Sequence, residues 1–521
     1  MDGSVPSTTS IGERAAAGAA GAAVALAVSE LLSGLLGAGS SSVEAVGELV
    51  IDVSPTPVTR FAIEVFGLYD KPALLIGIII VSLAAGGMLG ILSSRGLWVP
   101  VLGFGLLAAL GAYAGVLHPD VPGGLAVIIA GLSAGAGLVV LHRLLAPPRR
   151  RTANGGGEAV AAPERRALLV GLGAVGIFVV ASAGIGRTLL GRAKLAAAGR
   201  SDVVLPRARV TAPPPGTGAS LEVPGLTPIV TSNEDFYRID TSLSVPRIQL
   251  DDWTVKLTGM VDRPFELTYE ELLDLPMQER YVTLCCVSNE VGGDLVGNAK
   301  WMGVPLVDLL ERAGVQQGAT QIVGRAVDDF TVGFPTEVAL DGREALVAVA
   351  MNGEPLPFEH GFPARLVVSG LYGYVSATKW LSEIELVPWD AFDAYWIPRG
   401  WSKEGPIKTQ SRIDLPRTNA ALPAGPHRIA GVSWAQNRGV TKVEVQFGDG
   451  SDAAPWHEVE VSEPLSKDTW IQWVYDWDAQ PGNYLIRVRA TDATGMTQPP
   501  GYTSPRPDGA DGQHTIRVSI T

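Results

Sequence analysis

Five long apolar runs, all before residue 195, constrain this chain more than any other feature. They cover approximately residues 15–36, 73–92, 98–117, 123–141 and 167–186. Each comes close to the roughly 20 residues that a helix needs to cross a hydrocarbon layer. A backbone in lipid must satisfy its own hydrogen bonds, so the runs predict a bundle of about five transmembrane helices within residues 1–200. The first run is rich in Ala and Gly and gives the weakest signal. The piece between Val43 and Gly67 holds Pro55, Pro57 and several charges, and reads as an interfacial segment. No mid-membrane acidic or basic residue marks an ion path. Small residues, as in AGLSAGAGL, predict close helix packing.

Basic residues orient the bundle. Arg143, Arg149, Arg150, Arg151, Arg165 and Arg166 cluster between the fourth and fifth runs, so that loop is expected in the cytoplasm. An odd number of spans then places everything after about residue 190 outside. Arg95 falls on the inner side, and His118, Pro119 and Asp120 on the outer. The expectation is a multi-pass protein of the cell membrane with its soluble part extracytoplasmic. Arg165–Arg166 before an apolar run also resembles a twin-arginine export signal, although ordinary positive-inside charge accounts for the same pair. His118 and His142 sit at run ends, which argues against a haem held between membrane helices.

After residue 200 the composition is that of a soluble protein. Residues 201–226, with PRARVTAPPPGTGASLEVPGL from Pro206, read as a Pro/Gly-rich linker. A net charge of −13 with no basic face argues against nucleic acid as a partner. The only two cysteines are adjacent, Cys285 and Cys286, so there is no disulfide framework. There is also no C-x-x-C-H for haem attachment, and there are too few thiols for a four-cysteine iron–sulfur cluster.

Residues 227–408 predict an α+β domain. WTVKLTGMV alternates as a strand, Thr268 and Glu271 form a capping box, and Pro305 and Gly314 frame a helix. ALVAVAMNG and ARLVVSG read as buried strands. Residues 409–521 turn all-β, with alternation in TKVEVQF, WIQWVYDW and NYLIRVRATD, and predict an immunoglobulin-like sandwich. The whole is therefore expected to be multi-domain: helical membrane bundle, linker, α+β domain and β-sandwich.

The chemistry-bearing residues fall in the α+β domain. Cys286 stands where the strand YVTLC gives way to the turn SNEVGGD, held on one side and open on the other. A buried cysteine is most often a small hydrophobe, and chemistry alone does not separate Cys285 from Cys286. Downstream, EHGFPAR carries His360 and Arg365, and VSATKW carries Lys379. An arginine among apolar strand neighbours needs an anionic partner.

These segments resemble the sulfite oxidase family of molybdopterin enzymes. TLCCVSN matches its T-L-x-C-x-x-N with Cys286 in the molybdenum-ligand slot, and HGFPAR with the later Lys379–Trp380 pair matches its pterin-binding elements. The resemblance implies a mononuclear molybdenum–molybdopterin cofactor, with Cys286 the metal thiolate and His360, Arg365, Lys379, Ala377 and Thr378 contacting the pterin. SNEDFYRIDTSLSVP implies Asn233, Tyr237 and Arg238 as further contacts. Asp328 stands where the family often has an acid beside the pterin, with Asp329 one position away. The order of domains implies a sandwich of the dimerisation type, and so allows a homodimer. The implied activity is two-electron oxygen-atom transfer on a small molecule, with electrons exchanged through a separate carrier, a quinone or a redox protein. The chain departs from the family where Glu290 follows Asn289, since sulfite oxidases have an arginine there; Arg399 and Lys403 in YWIPRGWSKEG are the candidate substrate-pocket cations. This departure puts sulfite itself in question, so reduction of a neutral S-oxide or N-oxide and sulfite-type oxidation both stay open. The alternative is a non-catalytic membrane-anchored binding protein with a degenerate domain, against which the joint presence of Cys286, His360, Arg365 and Lys379 argues.

Overall fold

The computed structural model describes residues 10–66, 69–118, 121–146, 162–197, 199–448 and 454–521. The chain divides into two compact units, Met1–Ala198 with Ser242–Ser244 and Gly199–Thr241 with Val245–Thr521.

The first unit holds helices α1 (Ile11–Leu36), α2 (Ser42–Val53), α3 (Thr56–Phe66), α4 (Asp70–Leu92), α5 (Trp98–Leu117), α6 (Gly123–Leu145) and α7 (Ala162–Ala197). Five helical segments, Ile11–Leu36, Asp70–Arg95, Trp98–Leu117, Gly123–Leu145 and Leu168–Arg192, are long and apolar enough to cross a membrane. The stretch expected to be interfacial forms α2 and α3. Capping boxes start α1 (Ser10 with Glu13) and α2 (Ser41 with Glu44). Arg149, Arg150, Arg151, Pro119 and Asp120 lie outside the described residues, as do the side chains of Arg165 and Arg166 in α7.

The Ala/Gly-rich first run forms the helix against which three others pack. A Cβ on Gly18 would lie 2.1 Å from the Gly86 carbonyl of α4, one on Gly21 2.7 Å from the Gly137 carbonyl of α6, and one on Gly34 2.2 Å from the Gly186 carbonyl of α7. In lipid, helix association depends on such backbone approach because no hydrophobic force separates helix from tail. Gly18→Val is therefore expected to destabilise this unit by about 1–3 kcal/mol or more. Gly131→Val, with open space around its Cβ, is expected to be near neutral. Thermal unfolding of the two variants in detergent makes the comparison. One acidic residue lies within the first run: Glu30 is buried near the end of α1, 3.6 Å from the Arg187 guanidinium of α7. A second pair, His118 with Glu48, lies at 3.0 Å.

In the second unit the α+β part has two five-stranded sheets. Its strands are β1 (Thr254–Gly259), β2 (Phe265–Thr268), β3 (Gln278–Cys285), β4 (Val296–Pro305), β5 (Gln321–Ala326), β6 (Thr331–Pro335), β7 (Ala345–Met351), β8 (Glu354–Pro355), β9 (Arg365–Val368) and β10 (Leu381–Val387). One sheet runs β2-β1-β10-β5-β6, with β1 and β10 parallel; the other runs β3-β4-β7-β8, with β9 also on β7. Every residue of β7 is buried, which explains its unbroken apolar sequence. The helix predicted after Pro305 spans Leu306–Ala313 and buries Leu306, Leu309, Leu310 and Ala313, one face at helical spacing. It stops at Gly314, whose φ of +72° suits a residue without a Cβ.

The C-terminal part is a two-sheet β-structure. One sheet joins Gln410–Leu415, Gly425–Trp434, Ile471–Ala479 and Glu460–Val461; the other joins Ala420–Leu422, Thr515–Ile520, Gly482–Asp492, Val440–Gly448 and Trp456–Glu458. Ile429, Val445, Trp473, Ile486 and Val488 fill the space between the sheets. Val432, Trp434 and Trp470 belong instead to the buried cluster of the α+β part. The two parts thus share a core.

Candidate functional site

The two thiols occupy different surroundings. Cys285 ends β3, lies within the apolar core and donates its Sγ–H to the Cys286 carbonyl at 3.4 Å. Burial pushes its thiol well above the ordinary value, with Cys286 adding to the rise and Arg412 opposing it. Cys286 opens the loop and is not a member of that core. Burial raises its thiol too, but hydrogen bonds with the Ser288 backbone and hydroxyl act against the rise.

The loop after Cys286 is closed on itself. The Cys286 N–H donates to the Leu295 carbonyl (2.9 Å), the Asn289 N–H to the Cys286 carbonyl (3.1 Å), and the Leu295 N–H to Asn289 Oδ1 (2.8 Å). The asparagine of TLCCVSN is therefore a staple that fixes the thiol's loop. Glu290 points away from the loop to accept from the Tyr502 hydroxyl of the β-sandwich part at 2.5 Å.

The same sandwich holds β3 from behind. Thr283 donates its N–H to the Asp468 carbonyl (3.0 Å), while its carbonyl accepts from Gln436 Nε2 (2.9 Å) and its Oγ1 from the Trp470 N–H (2.8 Å). Arg412 Nη1 donates to the Gly293 carbonyl at 3.0 Å. Gly292 packs so closely on His514 that a Cβ would lie 2.3 Å from the ring. Nδ1 of His514 accepts from the Ile413 N–H at 2.9 Å, so that nitrogen carries no proton. Burial first and Arg412 second push this histidine down to about 4. A depressed histidine contributes stability above the unfolded value near 6.5, and loses it as pH falls toward 4. His514→Gln is expected to flatten the fall of the melting temperature between pH 6.5 and 5, measured against the parent chain.

A basic cluster faces the same region. Arg365, first residue of β9, is buried; it donates Nη1 to the His360 carbonyl (3.1 Å) and Nε to the Leu366 carbonyl (3.4 Å), and its guanidinium lies 5.0 Å from the Trp301 ring centroid. Burial lowers it to about 10, with Tyr237 opposing. Among the described residues, no carboxylate forms an ion pair with it. His360 lies in a turn closed by Gly361, with Nε2 3.1 Å from the Asn233 carbonyl and its ring edge-on to Phe236 at 5.5 Å. Burial first and Arg365 second push it down to about 4, so it is neutral near pH 7 and donates from Nε2. Lys379 is also buried and reaches Asp240 (2.8 Å) and the Glu359 carbonyl (3.1 Å); burial lowers it to about 8 despite Asp240.

The remaining sequence candidates divide. Tyr237 stacks on Phe236 at 5.1 Å, and its hydroxyl is pushed well up by burial and then by Cys286 and Cys285, with Arg365 opposing. Arg238 shares Asp240 with Lys379, at 2.9 Å. Asp328 turns inward from the β5–β6 hairpin with Oδ2 buried and unpartnered; burial pushes it up to about 6, and Asp240 adds. Asp329, with φ of +62°, is exposed and makes the turn. Asn233 has both side-chain ends engaged, with Met351 and Asn352. Ala377 commits its N–H to Gly373 and Thr378 its carbonyl to Leu366, leaving the buried Thr378 Oγ1 without a partner. Arg399 lies 3.6 Å from the Tyr395 ring centroid and donates to that residue's carbonyl. Lys403 is taken up by the carbonyls of Trp389 and Phe392 and by Asp393, a clamp that holds its loop.

The sequence did not single out Asp240, Ser288 or Trp301. Asp240 lay within the quoted segment SNEDFYRID, and its spacing from Arg238 is a signal. Trp301, between Lys300 and Met302 in β4, gives none.

This donor set fits a pterin phosphate. A buried guanidinium without a carboxylate, a buried ammonium and an orphaned acid oxygen are groups that an anionic, hydrogen-bonding heterocycle would satisfy. Residues 242–396 match the family described as oxidoreductase molybdopterin binding domain. The chain is 27% identical over 318 residues to nitrate reductase [NADH] 1 of Arabidopsis thaliana, covering 49% of this chain and 34% of that protein. It is 34% identical over 317 residues to inducible nitrate reductase [NADH] 2 of Glycine max, covering 49% and 35%. It thus spans about a third of the length of these relatives. The crystal structure of the sulfane dehydrogenase SoxCD from Paracoccus pantotrophus superposes with a TM-score of 0.49 at 23% identity, over 56% of this chain and 81% of that one. The domain match and the curated relatives agree with the site built above: residues 242–396 form an oxidoreductase molybdopterin binding domain, in keeping with the resemblance to the sulfite oxidase family.

Proposed function

We propose that this chain is a membrane-anchored molybdenum–molybdopterin oxidoreductase, working outside the membrane, that exchanges an oxygen atom with a small neutral S-oxide or N-oxide. The observation that carries this reading is the presence in one domain of Cys286, on its stapled loop, and the buried Arg365, with which no carboxylate among the described residues forms an ion pair. When bound, the cofactor supplies the two-electron oxygen-atom chemistry.

The chain's residues have separate tasks. Cys286, on a loop stapled by Asn289, presents the metal thiolate; Ser288 hydrogen bonds favour its deprotonated form. Arg365 and Lys379 hold the phosphate end, and neutral His360, fixed by Asn233, offers its second ring nitrogen to the pterin edge. Asp328, with its pKa raised, serves as a donor or acceptor toward the ring. Tyr237, stacked on Phe236, is a further pterin contact in this reading. Arg399, laid over Tyr395, and Lys403, clamped on its own loop, are the pocket cations of this reading.

The family's arginine after Asn289 is absent here, which supports an uncharged substrate, while Glu290 itself turns to Tyr502. With a reduced dye as donor, purified enzyme is expected to turn over dimethyl sulfoxide or trimethylamine N-oxide, and to oxidise sulfite poorly. Efficient sulfite oxidation with no oxide reduction would contradict the substrate assignment. Electrons reach or leave the site through a separate carrier, a quinone or a redox protein.

A further inference from the structure

The loop that carries Asn233, Tyr237, Arg238 and Asp240 has neither helix nor strand between Ser232 and Thr241. Its backbone closes one turn, where the Phe236 N–H donates to the Ser232 carbonyl at 3.1 Å. Asp240, which pairs with both Arg238 and Lys379, is the last site residue of the loop. Two residues later the chain enters the membrane unit: Ser242–Ser244 belong with Met1–Ala198, and Val245 is back in the second unit.

Contacts inside the membrane unit hold this three-residue tip. Lys71, in the first turn of α4, donates Nζ to the Ser242 carbonyl at 2.6 Å. The Ser242 hydroxyl donates to the Ser244 carbonyl and closes the turn. Leu243 fills the notch left by Gly47 on α2. A Cβ on Gly47 would lie 2.8 Å from Leu243 Cδ1, and 3.4 and 3.6 Å from the Leu75 and Ile78 side chains of α4. A charged donor makes one of the stronger hydrogen bonds, and the leucine adds apolar contact beside it.

The residues on either side of the tip stand beside the site. Lys379 joins Asp240 to the Glu359 carbonyl, and Arg247 lies 3.5 Å from the Glu359 carboxylate and 4.0 Å from the Phe358 ring centroid. His360 is the next residue. A segment with few bonds of its own takes its order from whatever fixes its ends.

We infer that the membrane unit takes part in holding the cofactor loop. Lys71 and Leu243 fix the end of the Ser232–Thr241 segment, and so are positioning residues for Asp240 and, through it, for Arg238 and Lys379. That these side chains serve a pterin rests on the function proposed above; the tethering of the loop does not.

The test is hydrogen–deuterium exchange of the full chain in detergent, read on a peptide covering residues 232–241. Pterin release on dilution is followed by fluorescence in the same preparations. Lys71→Met should speed exchange in that peptide by about tenfold, the value of one hydrogen bond to a charged group, and leave the peptide over residues 278–285 unchanged. Leu243→Ala should act in the same direction, and Lys71→Arg should restore the parent rate. Pterin should leave the Lys71→Met and Leu243→Ala proteins faster than the parent. Unchanged exchange in both variants, or an equal rise over residues 278–285, would overturn the tether. Faster exchange with unchanged pterin release would overturn the positioning role. Parent protein without pterin would contradict the oxidoreductase reading instead, and the exchange rates would still decide whether the tether exists.

Discussion

Cys286→Ser is expected to leave the soluble unit folded while lowering oxide turnover by more than about 100-fold, beyond the 10- to 100-fold that substitutions around a metal's ligands cost. A serine hydroxyl is a harder and far less acidic donor than a thiol, so the metal would lose its soft ligand. The neighbouring substitution separates ligand from bystander. Cys285 sits in the apolar core and uses its hydrogen to donate to the Cys286 carbonyl, a bond that a serine can also make. Cys285→Ser should therefore keep both turnover and the metal's spectrum. Loss of the metal signature in the Cys285 variant, with retention in the Cys286 variant, would reverse the assignment. The check is turnover and electronic absorption of the two variants, prepared side by side.

Arg365→Met carries the second large effect. The guanidinium is buried with two backbone carbonyls and a tryptophan face for company, and among the described residues it pairs with no carboxylate. If a phosphate is its partner, removing it costs about 2–5 kcal/mol of cofactor binding, or roughly 30- to several-thousand-fold in affinity. The cofactor-free protein should respond differently. It loses two hydrogen bonds worth about 1 kcal/mol each, and is relieved of an unneutralised buried charge. The expected result is protein that has lost its pterin but melts close to the cofactor-free parent. A large fall in the melting temperature with pterin retained would make Arg365 a structural residue. Pterin fluorescence after denaturation and a thermal melt decide between the two.

The architecture was legible where periodicity and punctuation agree. Five apolar runs gave five membrane-length helices, and Thr268 with Glu271 and Pro305 with Gly314 bracketed the short helices of the α+β part. The central place of the first helix was not legible from hydropathy. Its Ala/Gly content weakens the signal for a span, yet the absent side chains of Gly18, Gly21 and Gly34 are what let three helices approach. Glu30 was overlooked for a related reason, because one acid in a long apolar run says nothing until its partner Arg187 is brought to it from 157 positions away in sequence.

At the site, the motif residues Cys286, His360, Arg365 and Lys379 could be named from spacing and resemblance, but their environments could not. Which thiol lies in the core depends on where β3 ends. Which of Asp328 and Asp329 turns inward depends on the backbone of one hairpin, where Asp329 takes the left-handed conformation. The support from the sandwich part was also invisible, since Asp468, Gln436 and Trp470 reach Thr283 only through tertiary packing. Lys403 and Arg399 looked alike as pocket cations in sequence; both lie over an aromatic ring and donate to carbonyls of their own loop, and Lys403 adds a pair with Asp393.

The most direct measurement is elemental analysis of the full chain, expressed with molybdate and a working cofactor pathway and purified in detergent. The account expects about one molybdenum per chain, accompanied by pterin, with both lost in Arg365→Met protein and the metal's spectrum altered in Cys286→Ser protein. Correctly folded protein that contains neither molybdenum nor pterin under those conditions would contradict it.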